Sequence, residues 1–340
     1  MSARKTAIHE HLPWSVRLFA TAPIPPPVSA VLLTAGFALA GALYSRAFGL
    51  PFLTTFVEID LLQITMIGFA PAATIYALRG AERDLADLRP VLRPEAGAAG
   101  AGLERVFFLG RRWRVVSGLA GITIALVLLF SPASWQNGRP PVGDPIFVWA
   151  ALRSSVLGWL VARTVLIELA VGFGFSRLGE RDVAVDWLDQ GPLRPFARKG
   201  LRSVFLLLLF SLFFSLFLLE PWGRVVAIPM LVLFPALCVF ALLLPVSGVH
   251  RRLARAKTAE LARVDSALRA EAEANLKEGA ALAAGARLSN LVAYRGLVEA
   301  ANTWPFDLGV WLRFSVYVSL GLGSWLGGAL VERLLGAALG

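Results

Sequence analysis

Seven stretches of this chain stay apolar over 16 to 29 residues: Val28–Leu43, Ile59–Leu78, Val115–Phe130, Phe147–Phe175, Ser203–Leu219, Val225–Val246 and Leu308–Leu330. A hydrocarbon core of ~30 Å takes about 20 helical residues to cross. Backbone in lipid must satisfy its own hydrogen bonds, so such runs are expected as helices. Only 16% of residues are charged and 57% are hydrophobic, against ~25% charged in a globular chain. That balance excludes a soluble enzyme, a disulfide scaffold and a disordered tail. The expected fold is an all-α integral membrane protein, a bundle of about seven transmembrane helices with a cytoplasmic helical hairpin. Its expected parts are a cytoplasmic N-terminal tail (1–27), a six-span region (28–246), the hairpin (247–306), and the seventh span with the C-terminus (307–340).

The net charge of +10 suggests nucleic acid until the basic residues are sorted by loop. Arg4, Lys5 and Arg17 precede the first run, and eight arginines from Arg79 to Arg114 separate the second from the third. Six basic residues from Arg177 to Arg202 separate the fourth from the fifth, and nine from Arg251 to Arg295 lie between the sixth and seventh. The alternate loops hold one each: Arg46, Arg139 and Arg224. Cytoplasmic loops collect Lys and Arg, so the expected placement is a cell inner membrane, N-terminus inside and C-terminus outside. The charge is then topology signal, and no nucleic-acid partner is expected. The N-terminal stretch lacks the form of a signal peptide, because its apolar part begins only after Pro23, Pro25, Pro26 and Pro27. The single cysteine, Cys238, lies inside the sixth run and reads as a small apolar side chain.

Arg79-Gly-Ala-Glu82-Arg83-Asp84-Leu85 follows the second run, and Arg177-Leu-Gly-Glu180-Arg181-Asp182-Val183 follows the fourth. Each precedes a Leu-Arg-Pro, at Leu88–Pro90 and at Leu193–Pro195. Two readings fit: a tandem, parallel repeat of two-span units, or coincidence between arginine-rich flanks. Either way the motif suits a short surface helix with Glu–Arg pairs three or four apart. Between Gly248 and Thr303, Leu253, Leu261, Val264, Leu268 and Leu276 recur at helical spacing. Glu260 with Arg263, and Arg269 with Glu273, are spaced for surface ion pairs. Gly279 and Gly285 place a turn at Asn275–Gly285, and a second helix is expected over Arg287–Ala301, ended by Trp304-Pro305. Two helices paired in this way resemble a short coiled coil. They either pack on the protein's own inner face or receive a partner, through self-association or a cytoplasmic protein.

No P-loop and no H-E-x-x-H motif occurs. His9, His11 and His250 all lie outside the spans, and His9-Glu10-His11 reads as a solvated tail. The Gly-Leu-Gly-Ser-Trp stretch at Gly321–Trp325 lacks the flanking glycines of a nucleophile turn. No cofactor is expected, and an enzyme acting on lipid stands only as a third reading, without a recognisable nucleophile or metal set. Gly323 and Gly327 form a G-x-x-x-G in the seventh run, suited to packing inside the bundle or to a homo-oligomer face.

Charges inside spans are costly and mark candidate sites. They are Asp60 with Glu58 in the second run, Arg153, Arg163 and Glu168 in the fourth, and Arg313 with Glu332 at the two ends of the seventh. Depth counting at 1.5 Å per residue pairs Asp60 with Arg153 and Glu168 with Arg313. Arg163 then has no depth-matched acid and is expected near mid-bilayer, pointing into the bundle. Two functions follow. One is a channel or transporter passing a small anionic solute by Arg163. The other is a non-transporting membrane scaffold or sensor acting through the cytoplasmic hairpin. The lipid bilayer is the environment expected for both.

Overall fold

The computed structural model describes residues 24–50, 57–93, 110–131, 135, 139–184, 186, 189–216, 223–278 and 282–339. The described chain is helical, without strands beyond one isolated bridge between Leu92 and Val183. The helices are α1 (Pro26–Ala47), α2 (Val57–Leu88), α3 (Arg111–Phe130), α4 (Pro145–Arg181), α5 (Arg194–Leu216), α6 (Gly223–Glu278), α7 (Leu282–Ala300) and α8 (Leu308–Leu339). Among the described residues six, α1 to α6, are long and apolar enough to cross a membrane. His9, His11 and the Asn275–Gly285 turn's centre at 279–281 lie outside the described residues, as do the side chains of Glu58 and Glu332.

Helix ends follow local chemistry. Pro145 starts α4, where the missing proline N–H costs nothing, and Asp144 caps it by accepting from the Ile146 N–H at 2.7 Å. Pro26 does the same for α1. At the other end of α4, the Arg252 guanidinium donates to the carbonyls of Glu180 (2.8 Å) and Arg181 (3.1 Å), two of the acceptors that a helix end leaves open.

Consecutive helices pack as antiparallel neighbours, α1 on α2, α3 on α4 and α5 on α6, while α8 lies on α5. The most enclosed span is α2, which touches α1, α4 and α5. Small residues set the closest approaches. Gly121 of α3 and Gly158 of α4 face each other so closely that a methyl on either would overlap the other's carbonyl oxygen. Gly248 of α6 lies on the Ser176 carbonyl of α4 in the same way, and the Ser176 and Ser247 hydroxyls share a hydrogen bond of 2.8 Å.

The largest core lies toward the arginine-rich end, where α2, α4, α5 and α6 converge through Leu85, Leu88, Phe175, Leu178, Phe196 and Val249. That core exists because three helices run beyond their expected spans. Helix α2 continues ten residues past Leu78, α4 six past Phe175, and α5 begins nine before Ser203. The R-x-x-E-R-D segments are accordingly the ends of α2 and α4, not separate surface helices. Their residues do different work: Asp84 joins an ion cluster, while its counterpart Asp182 uses its backbone carbonyl to accept from the Arg93 N–H at 2.9 Å.

A second difference concerns α6. The proline-interrupted sixth run and the polar segment after it form one unbroken helix through Pro229, Pro235 and Pro245. Proline's fixed φ is itself helical, and α4 and α5 brace both flanks. No break separates residues 246 and 247.

Candidate functional site

Asp60 on α2 and Arg153 on α4 form a buried pair. Arg153 Nη1 lies 2.5 Å from Asp60 Oδ1, with side chains 8% and 7% exposed, and Arg153 Nε donates to Gln63 Oε1 at 2.8 Å. This is the pairing that depth counting expects. Further along the same interface Thr74 and Thr164 join through their hydroxyls at 2.8 Å, beside the Ala70 carbonyl.

Glu168 is the point of correction. Its partner is Lys199 of α5, not Arg313. Lys199 Nζ donates to Glu168 Oε2 at 2.6 Å and to Ser203 Oγ at 2.9 Å, and Ser203 Oγ lies 2.9 Å from the same carboxylate oxygen. The Lys199 side chain is only 1% exposed. Because α5 starts at Arg194, Lys199 is more than one helical turn inside it and one turn from Ser203, so both face α4. Arg313 instead stands on an exposed face of α8, next to Leu312. A Ser–Lys arrangement can serve nucleophilic catalysis when the lysine is neutral. Here Lys199 Nζ is held by the Glu168 carboxylate at 2.6 Å, and its side chain is buried between the helices.

Asp84, nearly fully buried, receives Arg202 at 2.8 Å and Arg198 at 3.2 Å, and Arg198 also reaches Asp87. Gly80 leaves the space beside α2 that the Arg202 guanidinium fills. Glu180 receives Arg251 (2.9 Å) and Arg255 of α6. These links tie the arginine-rich ends of α2, α4, α5 and α6 together.

Arg163 packs at the seam between α4 and α3. Its neighbour Thr164 points to α2, whereas Arg163, about 100° around the helix, points to α3. Its guanidinium lies 4.3 Å from the centroid of the Trp159 ring, and its Nε is 3.7 Å from where a Gly118 methyl would sit. Gly118 is one turn from Arg114, in the arginine-rich head of α3. Arg163 is thus level with that head. Helix α4 has 37 residues, ~55 Å of rise, so the middle of the helix need not be the middle of a ~30 Å core.

A small pocket with room for about 40 Å³ lies between α5, α6 and α8, lined by Leu207, Phe210, Phe214, Met230, Phe234 and Trp325. Its walls are apolar apart from Ser211, whose hydroxyl accepts from the Trp325 indole at 2.6 Å. Gly321 packs on Phe234, while Gly323 and Gly327 have open space beside them.

Beyond Arg255, α6 packs on α7. Tyr294 donates to Glu260 Oε1 at 3.0 Å, and Arg295 reaches Asp265 at 2.8 Å and Glu299 at 2.9 Å. Partial burial and the Glu260 hydrogen bond hold the Tyr294 hydroxyl above its ordinary pKa. Glu260 and Arg263 form the expected surface pair at 2.9 Å. Lys257 donates to the carbonyls of Glu299 (2.6 Å) and Ala301 (2.8 Å), capping α7. His250 stacks on Trp304 at 3.8 Å and contacts the Thr303 carbonyl, anchoring the connection to α8. The opposite face of α7 is bare: Ser289, Val292, Ala293, Gly296, Leu297 and Ala300 are exposed, Val292 at 57% and Leu297 at 62%.

No family model, curated protein or solved structure matches this chain.

The sequence did not reveal the partners of Glu168, Asp84 and Glu180. Those partners, Lys199, Arg198, Arg202, Arg251 and Arg255, are basic residues that also serve as loop-flank charges by position. A legible signal was the helical face Phe196, Lys199, Ser203, which continues the fifth run backward through its basic flank.

Proposed function

We propose that this chain is a non-transporting membrane scaffold or sensor that acts through α6 and α7. The arginine-rich end faces the cytoplasm, α8 is the seventh span, and the C-terminus lies outside an inner membrane. Beyond the membrane, α6 and α7 form a helical hairpin whose bare face receives a cytoplasmic partner. The observation that carries this reading is the exposed face of α7, where Ala293, Gly296 and Ala300 are flanked by Val292 on one side and Leu297 on the other, on a helix that is not among the candidate spans. Exposed apolar side chains clustered on one face mark interaction sites. The alternative, anion passage by Arg163, draws less support, because Arg163 faces α3 while the charges along α2, α4 and α5 are matched to one another.

The test joins two measurements on the full-length protein. A photo-cross-linker at Leu297 in living cells is expected to give a discrete adduct, lost when Val292→Glu is added. Liposomes carrying the protein are expected to leak anions no faster than empty ones. Absence of any adduct, together with anion flux that Arg163→Leu abolishes, would replace this reading with transport.

A further inference from the structure

The head of α3 has an arrangement that the docking reading does not use. Gly110 begins the helix without a side-chain cap, so first-turn N–H groups point outward with the positive end of the helix dipole. Arg114 and Gly118 share a face of α3, and opposite them α4 places Trp159 and Arg163. A methyl at Gly118 would lie 2.8 Å from the Trp159 ring, so the glycine lets the indole lie against α3 with Arg163 above it. Arg114 stands one turn before Gly118 on α3, and Arg163 Nε lies 3.7 Å from where a Gly118 methyl would sit, so both arginines belong to the same α3–α4 seam. The buried Arg114 Nε has no hydrogen-bond acceptor among the described residues. On the same helix, Val116 (52%) and Leu119 (60%) are exposed.

We infer that Arg114 and Arg163 form a phosphate site at the head of α3, with Trp159 as its floor. Guanidinium forks bind phosphate through paired N–H donors, and a helix N-terminus favours the same anion. The phosphate can come from an anionic phospholipid headgroup or from free phosphate. The exposed apolar surface of α3 favours the lipid, because acyl chains would run along Val116 and Leu119. This inference stands whether or not α7 docks a partner.

The experiment uses the full-length protein in phosphatidylcholine nanodiscs with a small fraction of photoactivatable phosphatidylglycerol, followed by mapping of the adducts. Adducts are expected on the stretches around Arg114–Gly118 and Trp159–Arg163. In Arg114→Gln/Arg163→Gln they should fall about tenfold, the loss of one charge-assisted contact or more. Arg313→Gln, a charge removed elsewhere on the surface, should leave them unchanged. If millimolar inorganic phosphate suppresses the adducts as well as unlabelled phosphatidylglycerol does, the site holds free phosphate and not a lipid. Should the double glutamine variant fail to fold, the wild-type map still decides. Adducts spread evenly over α1, α3 and α8, unaffected by phosphate, would overturn the inference.

Discussion

Replacing Lys199 with methionine is expected to destabilise the protein by about 3–5 kcal/mol, as removal of one partner from a buried ion pair does. The substitution strands the Glu168 carboxylate, whose remaining contact is Ser203. Glu168→Gln in the same background removes the stranded charge and should recover a large part of the loss, because a pair removed whole leaves nothing uncompensated. The readout is the midpoint of unfolding in graded denaturing detergent. Arg313→Gln should leave that midpoint within about 0.5 kcal/mol, the range of an ordinary surface change. An Arg313 effect as large as that of Lys199 would restore the pairing that depth counting suggested.

Gly248→Ala is expected to be comparably damaging. The added methyl would overlap the Ser176 carbonyl, and backbone against backbone leaves no flexible side chain to yield. Helices α4 and α6 would have to separate. Gly172 and Gly179, which seat Leu244 and Val249, would lose their close fit too. Overpacking costs ~1–3 kcal/mol and occasionally more; with an entire helix seam displaced, the expected loss is ~3 kcal/mol, measured by the same unfolding midpoint. Gly296→Ala serves as the counterpart. Nothing lies within 4 Å of its added methyl, and alanine favours helix by ~1 kcal/mol, so that variant should be neutral or slightly more stable. Equal losses in both would mean that the α4–α6 seam is not as close as described.

The apolar runs were legible because span length is a coarse, additive property, and α1 to α6 fall where hydropathy puts them. Asp60 and Arg153 were also legible: both open spans running in the same direction, so counting residues from a shared edge brings them level. The method failed for Glu168 because its partner was treated as loop. Lys199 belongs to α5, which begins before hydropathy rises, since a helix whose inner end packs on other helices needs no lipid-facing apolar surface there. Which neighbour Arg163 meets was not legible, because the close approach of α3 to α4 at Gly118 and Gly121 decides it. The unbroken course of α6 was hidden by the change from apolar to polar sequence after Val246, which reads as the end of a span although the helix runs on. The bare face of α7 could be read only as periodicity. Which side of that periodicity α6 covers depends on Tyr294 and Arg295 meeting Glu260 and Asp265, with Val298 buried on the same helix.

Everything proposed for α6 and α7 depends on their lying in the cytoplasm. With the buried Cys238 replaced by alanine, a single cysteine is introduced at Ala270, which is exposed on α6, or appended after Gly340. Intact cells with a permeabilised outer membrane are treated with a maleimide that does not cross the inner one. Ala270→Cys should stay unlabelled until the inner membrane is broken, and the C-terminal cysteine should label at once. Labelling of Ala270→Cys in intact cells, with protection of the C-terminus, would place the hairpin outside and contradict the proposed docking of a cytoplasmic partner.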